Sequence, residues 1–161
     1  MEVDVPVEII KRNILDVMRS QAIADEVSEA VIEALIFAQL RGNDSHGLMQ
    51  LKILLDNISK HKLNKGPEFK VISDAGPTAI IDGQHGIGYF IAKKAMRLSI
   101  QKAREYGIAM VCVRNSSHFG AAGYYAHLAA QDKMIGIALT NTRPLVATNA
   151  GRRPVLGTNP I

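Results

Sequence analysis

The stretch IAMVCVRNSSHFGAAGYYAHLAAQDKMIGIAL, residues 108–139, decides the fold class. It opens with a short apolar run, residues 108–113, of strand length and buried type. A polar junction follows, and residues 120–131 then read as a helix. Residues 134–139 return to the strand pattern. Strand, helix and strand in succession form the unit from which α/β sheets are built.

Working outward, residues 88–106 carry a long amphipathic helical pattern that Gly107 ends. Residues 69–73 and 78–81 read as short strands separated by Ala75-Gly76-Pro77. The first sixty residues differ. Ile9, Ile10, Ile14, Val17 and Met18 recur at helical spacing, as do Val27, Ala30, Val31, Ala34, Leu35 and Ala38. Gly42 supplies a stop, and Asp44 or Ser45 is placed to cap a third helix through Leu48, Leu51, Leu54, Leu55 and Ile58. The expected architecture is α/β: a helical N-terminal layer over residues 1–66, then the first part of an α/β domain over residues 67–161. The chain closes on Gly157-Thr-Asn-Pro-Ile161 without a helix or charged tail, and reads as the N-terminal portion of a longer protein.

Composition narrows the class. At 47% hydrophobic and 21% charged, the 161 residues are ordinary globular material with enough apolar side chains for a core. The single cysteine, Cys112, cannot form an internal disulfide, and its apolar surroundings predict a buried small hydrophobe. The N-terminus lacks the pattern of a signal peptide, and no apolar run approaches the roughly 18 residues of a membrane span. A cytoplasmic protein is the expectation. A net charge of +4 first suggests nucleic acid as a partner. The basic residues are scattered, however, and four tyrosines with four phenylalanines leave little for base stacking. An anionic small ligand accounts for the excess equally well.

Four runs have the composition of a site. Arg41-Gly-Asn-Asp-Ser-His-Gly47 places Ser45 beside His46 between two helices; it reads as a proton-transfer element or as a plain cap carrying a histidine. Asn115-Ser-Ser-His-Phe-Gly120 places His118 between a strand and a helix, where backbone N–H groups can receive a phosphate; its glycines equally suit close packing. The spacing is not Gly-x-Gly-x-x-Gly, so the usual dinucleotide fingerprint is absent. Leu139-Thr-Asn-Thr-Arg-Pro144 offers Thr142 and Arg143 at a strand end, or merely a turn, and Arg152-Arg-Pro-Val-Leu-Gly-Thr-Asn-Pro160 offers two arginines and Thr158. His61 and His85 fall in turns and His127 on a helix, with no His-x-x-x-His spacing, so no metal site is expected.

Together and in this order, Arg-Gly-x-Asp-Ser-His-Gly, Ser-His-Phe-Gly-x-x-x-Tyr-Tyr, Thr-Asn-x-x-Pro-Leu-Val-Ala and Arg-Arg-Pro-Val-Leu-Gly-Thr-Asn-Pro resemble the malate/L-lactate dehydrogenase family of non-Rossmann type. That family also includes sulfolactate and ureidoglycolate dehydrogenases and cyclic-imine reductases. The resemblance implies a homodimeric NAD- or NADP-dependent oxidoreductase with a non-Rossmann α/β cofactor domain, incomplete in this chain because family members are about twice as long. It implies hydride transfer between the nicotinamide and a small 2-hydroxy acid or 2-oxo acid. Ureidoglycolate, a cyclic imine, or a binding role without catalysis on the same scaffold remain the alternatives. It also implies roles for residues. His46 matches a proton donor and Ser45 its relay partner, while His118 matches a proton acceptor. His118, Phe119, Gly120, Ala121 and Ala122 match a cofactor-binding loop. Thr142 matches a cofactor contact and Thr158 a substrate contact. One position departs: where the family commonly has an arginine gripping the substrate carboxylate, this chain has Gln50. A neutral amide grips a carboxylate less firmly than a guanidinium, so either Arg143 takes over or the substrate differs.

Overall fold

The computed structural model describes residues 4–66 and 69–161. Helices α1 (Val7–Ser20), α2 (Asp25–Gln39) and α3 (Met49–Ser59) form the N-terminal layer, with a 3-10 turn, Asp44–His46, before α3. Strands β1 (Lys70–Ala75) and β2 (Thr78–Asp82), helix α4 (Gly88–Tyr106), strand β3 (Met110–Arg114) and helix α5 (Ala122–Gln131) follow. Two short strands, β4 (Val146–Ala147) and β5 (Pro154–Leu156), pair antiparallel near the end. The fold class is α/β as the sequence predicts, and most element positions agree within two residues.

Helix α2 is the centre of the core. Its apolar residues face several neighbours, and Ala30, Val31, Ala34 and Leu35 are all fully buried. Ser28 is buried among them at no polar cost, because its hydroxyl donates to the Ala24 carbonyl at 3.0 Å. One hydrophobic cluster runs from Ile14 and Met18 of α1 through α2 to Tyr89, Phe90 and Ile91 of α4 and Tyr124, Tyr125 and Leu128 of α5. The helical layer and the α/β portion therefore share a core.

The sheet has the order β1-β2-β3, with β1 antiparallel and β3 parallel to β2. A parallel neighbour needs a crossover, which α4 supplies. Ala79 and Ile81 of β2 are buried on the helix side. Where α4 ends, Gly107 takes φ +81°, the left-handed stop expected of it. The buried Lys102 ammonium pairs with Asp74 and donates to the Gly76 carbonyl at 2.9 Å, fastening the β1–β2 turn to α4.

Four expectations are corrected. Residues 134–139 are not a strand; they pair with no strand among the described residues, and burial alternates along them, leaving Ile135, Ile137 and Leu139 exposed. A strand pattern becomes a strand only beside a ladder partner. Strand β3 is an edge strand, so it is not of buried type: only Val111 and Val113 turn inward. Cys112, opposite Ile80 in the register, lies on the open face and is exposed. Finally, neither Asp44 nor Ser45 caps α3; Gln39 does part of that work, accepting from the Leu48 N–H at 3.0 Å.

The N-terminus of α4 meets the loop after β3 backbone to backbone. A Cβ on Gly88 would lie 2.2 Å from the Ser117 carbonyl oxygen and 2.5 Å from that of His118. Gly88→Ala should therefore destabilise the protein by about 1–3 kcal/mol, outweighing any gain in helix propensity. Leu35→Ala should cost about 2–5 kcal/mol by leaving a cavity at the centre of α2. Urea midpoints at constant m-value measure both.

Candidate active site

Two loops build the site, each tied down by its own chemistry. The first runs from the end of α2 to the start of α3. Gly42 leaves α2 at φ +69° and the chain doubles back. The Gln39 side chain then spans the turn: its Nε2 donates to Asp44 Oδ1 at 2.7 Å, while its Oε1 accepts from Leu48. Gly47 is required beside it, since a Cβ there would sit 2.5 Å from Gln39 Oε1.

His46 is anchored by this turn through one ring nitrogen. Its Nδ1 lies 3.0 Å from Ser45 Oγ and 3.2 Å from Asn43 Oδ1. The Ser45 hydroxyl donates to the same Asn43 oxygen at 3.1 Å. An amide oxygen only accepts, so Nδ1 carries the hydrogen in this arrangement, and Nε2 has no partner among the described residues. Gln50 is partly committed within the turn. Its Nε2 donates to the Ser45 carbonyl at 2.6 Å, which commits one amide hydrogen to the site's own backbone.

The second loop follows β3. At its start the Asp82 carboxylate accepts from the Gln84 N–H at 2.9 Å, Asn115 Nδ2 at 3.0 Å and Arg114 Nε at 3.2 Å. These donors, the Gln84 N–H foremost, hold its pKa below the usual carboxylate value. Further on, the Ser117 hydroxyl accepts from Gly88 N–H at 2.8 Å and donates to the Gly86 carbonyl at 2.9 Å. His118 comes next. It keeps an exposed surface, but its Nδ1 edge packs inward, 3.3 Å from the Gly120 nitrogen and 3.4 Å from the hydroxyl of buried Tyr89. Burial lowers the His118 pKa, and the neighbouring His46 and Arg143 lower it further. Burial raises that of Tyr89, which stays a phenol.

The two loops bring the imidazoles together: the rings of His46 and His118 stack with centroids 5.9 Å apart and planes 27° apart. Phe119 stacks on Tyr125 at 5.0 Å, and Tyr125 donates to the Phe119 carbonyl, so the loop beyond His118 is fixed. Gly120, at φ +79°, admits the Tyr89 ring where a Cβ would clash at 2.7 Å. Helix α5 then starts from Ala121 with no side-chain cap, and the N–H groups of Ala122 and Gly123 have no partner among the described residues.

Thr142 and Thr158 form a second pair. Their hydroxyls are 3.3 Å apart, and Thr158 N–H donates to Thr142 Oγ1 at 2.9 Å. Asn159 Oδ1 accepts from Thr142 N–H at 2.9 Å. Among the described residues, no hydrogen bond or ring contact joins this pair to the imidazoles; Arg143 acts on His118 through charge alone. Arg41 faces away, stacked on Phe37 at 3.6 Å, and Arg152 and Arg153 are exposed. Sequence reading missed Tyr89, whose spacing marks it only as a core residue of α4, and the bracing by Gln39. The one available signal for Asn43 was its place inside the run that contains His46.

Comparison with known proteins places the whole chain. The sequence profile described as malate/L-lactate dehydrogenase matches residues 5–161. The chain is 48% identical over 137 residues to a malate dehydrogenase of Pyrococcus abyssi, covering 85% of this chain and 38% of that protein. It is 38% identical to an L-sulfolactate dehydrogenase of Methanocaldococcus jannaschii, over 94% of this chain and 44% of that protein. The structure of malate dehydrogenase from Pyrococcus horikoshii superposes with a TM-score of 0.95 at 41% identity, covering 98% of this chain and 45% of that one. The chain thus spans less than half the length of these relatives. Matched by that profile over nearly its whole length, the chain belongs to the malate/L-lactate dehydrogenase family.

Proposed function

We propose that the protein is an NAD- or NADP-dependent oxidoreductase that moves a hydride between a nicotinamide and a small 2-hydroxy acid or 2-oxo acid. The observation that carries this reading is the stacked pair His46 and His118, each anchored through Nδ1 by a different loop. The names of the relatives support the reaction class: malate and sulfolactate are both 2-hydroxy acids.

The donor set suits a dinucleotide. The uncapped start of α5 offers free N–H groups and a helix dipole to an anion. Gly123 leaves open space where a side chain would stand. His118, Phe119, Gly120, Ala121 and Ala122, together with Thr142, would hold the group. The bound nicotinamide supplies the two-electron chemistry, accepting or returning a hydride.

The chain's own residues handle the proton. Oxidising a hydroxyl to a carbonyl releases its hydrogen as a proton while the C–H hydrogen departs as hydride. His46 has Nε2 free to take that proton, and in the reverse direction returns it. Ser45 and Asn43 hold the ring while it does so. Thr158 and Arg143 are the proposed substrate contacts. Gln50, half committed to Ser45, grips a carboxylate weakly, which favours a substrate whose distal group is not a second carboxylate.

His46→Ala should lower kcat/KM by about 10²–10⁴-fold while leaving NAD(P)H binding intact. Nicotinamide fluorescence with a panel of 2-oxo acids and cyclic imines follows both. A protein that binds NAD(P)H yet turns over none of the panel would overturn the reading. Gln50→Arg should lower the KM for a 2-oxo dicarboxylate about tenfold, because a charged bidentate grip replaces a neutral one. An unchanged KM would remove position 50 from the substrate contacts.

A further inference from the structure

We propose that the gap between β3 and residues 134–139 is a slot for a further β-strand, and that its occupant is the polypeptide continuing from Ile161 in a chain of the relatives' length. The relatives carry more than half of their length outside the part that this chain matches, so the family has polypeptide to supply such a strand.

Both walls of the slot are built and carry unpaired backbone. Strand β3 lies at the edge of its sheet. Its Met110 N–H donates to the Pro77 carbonyl on the β2 side at 2.9 Å. Peptide groups alternate in direction along a strand, so those of Val111 and Val113 face the open edge. Opposite, residues 134–139 alternate in burial as a strand does, with Met134 and Ala138 packed on the core. Gly136 fixes this wall against α5, since a Cβ there would stand 2.6 Å from the Ala126 carbonyl oxygen. Among the described residues, no backbone acceptor reaches the N–H groups of residues 135–139. Between the walls lies a cavity of about 620 Å³, floored by Met96, Ile100 and Ala103 of α4 and Ala129 of α5, and rimmed by Ile108 and Ile137. Unpaired peptide groups over an apolar floor are what strand addition requires.

The chain itself supplies the direction. Residues 140–147 and 154–160 run as an antiparallel ribbon. Val146 pairs with Leu156 and Ala147 with Pro154. Further along, the Thr158 N–H donates to Thr142 Oγ1 at 2.9 Å and the Thr140 N–H to the Pro160 carbonyl at 3.2 Å. One arm counts down as the other counts up, so the next steps of this register set the continuation beside Ala138 and then Gly136. By the same alternation, their N–H groups point to the side on which Pro160 lies. A strand of about six residues, roughly 20 Å long, spans this wall, and every second side chain enters the cavity. Delivery within one chain avoids the association entropy that a second copy would have to overcome. The slot also bears on the site, because β3 leads into the loop of His118 and residues 134–139 lead into Thr142 and Arg143. The inserted strand sets the distance between those two loops; this consequence, unlike the slot, rests on the proposed cofactor site.

Amide hydrogen exchange followed by NMR reads both walls. In the 161-residue chain alone, the N–H groups of Val111, Val113, Gly136 and Ala138 should exchange rapidly. Two longer versions carry, after Ile161, the sequence that follows the matching position of the Pyrococcus abyssi malate dehydrogenase: one takes only the next stretch of about eight residues, the other the whole remainder. A Gly-Ser extension of the short length is the control. In at least one of the two, all four amides should slow by about tenfold or more against that control. Protection in neither overturns the proposal; where the long version does not fold, the short one decides, with unchanged protection of α2 showing that it is folded. Protection of Gly136 and Ala138 without Val111 and Val113 puts the strand outside the slot and overturns it too. So does protection in the unextended chain that grows with concentration alongside a dimer mass, because the occupant is then a second copy. A long version protected at all four amides that binds no NAD(P)H would sink the proposed cofactor site and leave the slot standing.

Discussion

The site depends on one joint, the docking of the loop after β3 onto the first turn of α4. The Ser117 hydroxyl makes it, taking the Gly88 N–H and giving its own hydrogen to the Gly86 carbonyl. Gly88 permits the approach because it has no Cβ to hold the backbones apart. The sheet edge, the long crossover helix and His118 all meet there. Without that contact β3 would still pair with β2, but the loop would lose its tie to the first turn of α4 and be held only at its ends, by Asp82 and by Tyr125.

Around this joint, polar side chains brace the two loops. Gln39 braces one loop with both ends of its amide, and Asp82 braces the other with three donors. Each histidine is held at Nδ1 and open at Nε2. The same economy explains Gln50. An arginine at that position could reach a substrate anion, whereas the glutamine amide is short enough to close on the Ser45 carbonyl and so rigidifies the turn.

Much of this was legible in the chain. The helical layer declared itself through the spacing of Val27, Ala30, Val31, Ala34 and Leu35, and Gly42 and Gly107 end their helices with positive φ as glycine allows. The two histidine runs stood out because glycine, serine and asparagine surround a titratable ring. What remained hidden was tertiary. Residues 134–139 have the composition of a strand but no ladder partner, and periodicity cannot report the presence of a partner. Tyr89 looks like packing, since one hydroxyl at the end of a core ring leaves no trace in a hydrophobic pattern. Asp44 and Ser45 looked like caps because local chemistry allows it, yet Gln39, further back along the chain, took that position.

The shared core has a consequence for how the two imidazoles are spaced. His46 is hung from the end of α2 by Gln39, and His118 is hung from the start of α4 by Ser117. These helices pack against each other through the common cluster around Val31, Leu35 and Ile91. The 5.9 Å ring separation is therefore a ruler laid across the interior. A methyl group added or removed between α2 and α4 would register at the far ends as a change in reach. Displacements of about 1 Å can cost a hundredfold in rate, so under the proposed reaction the core residues between α2 and α4 would bear on its speed.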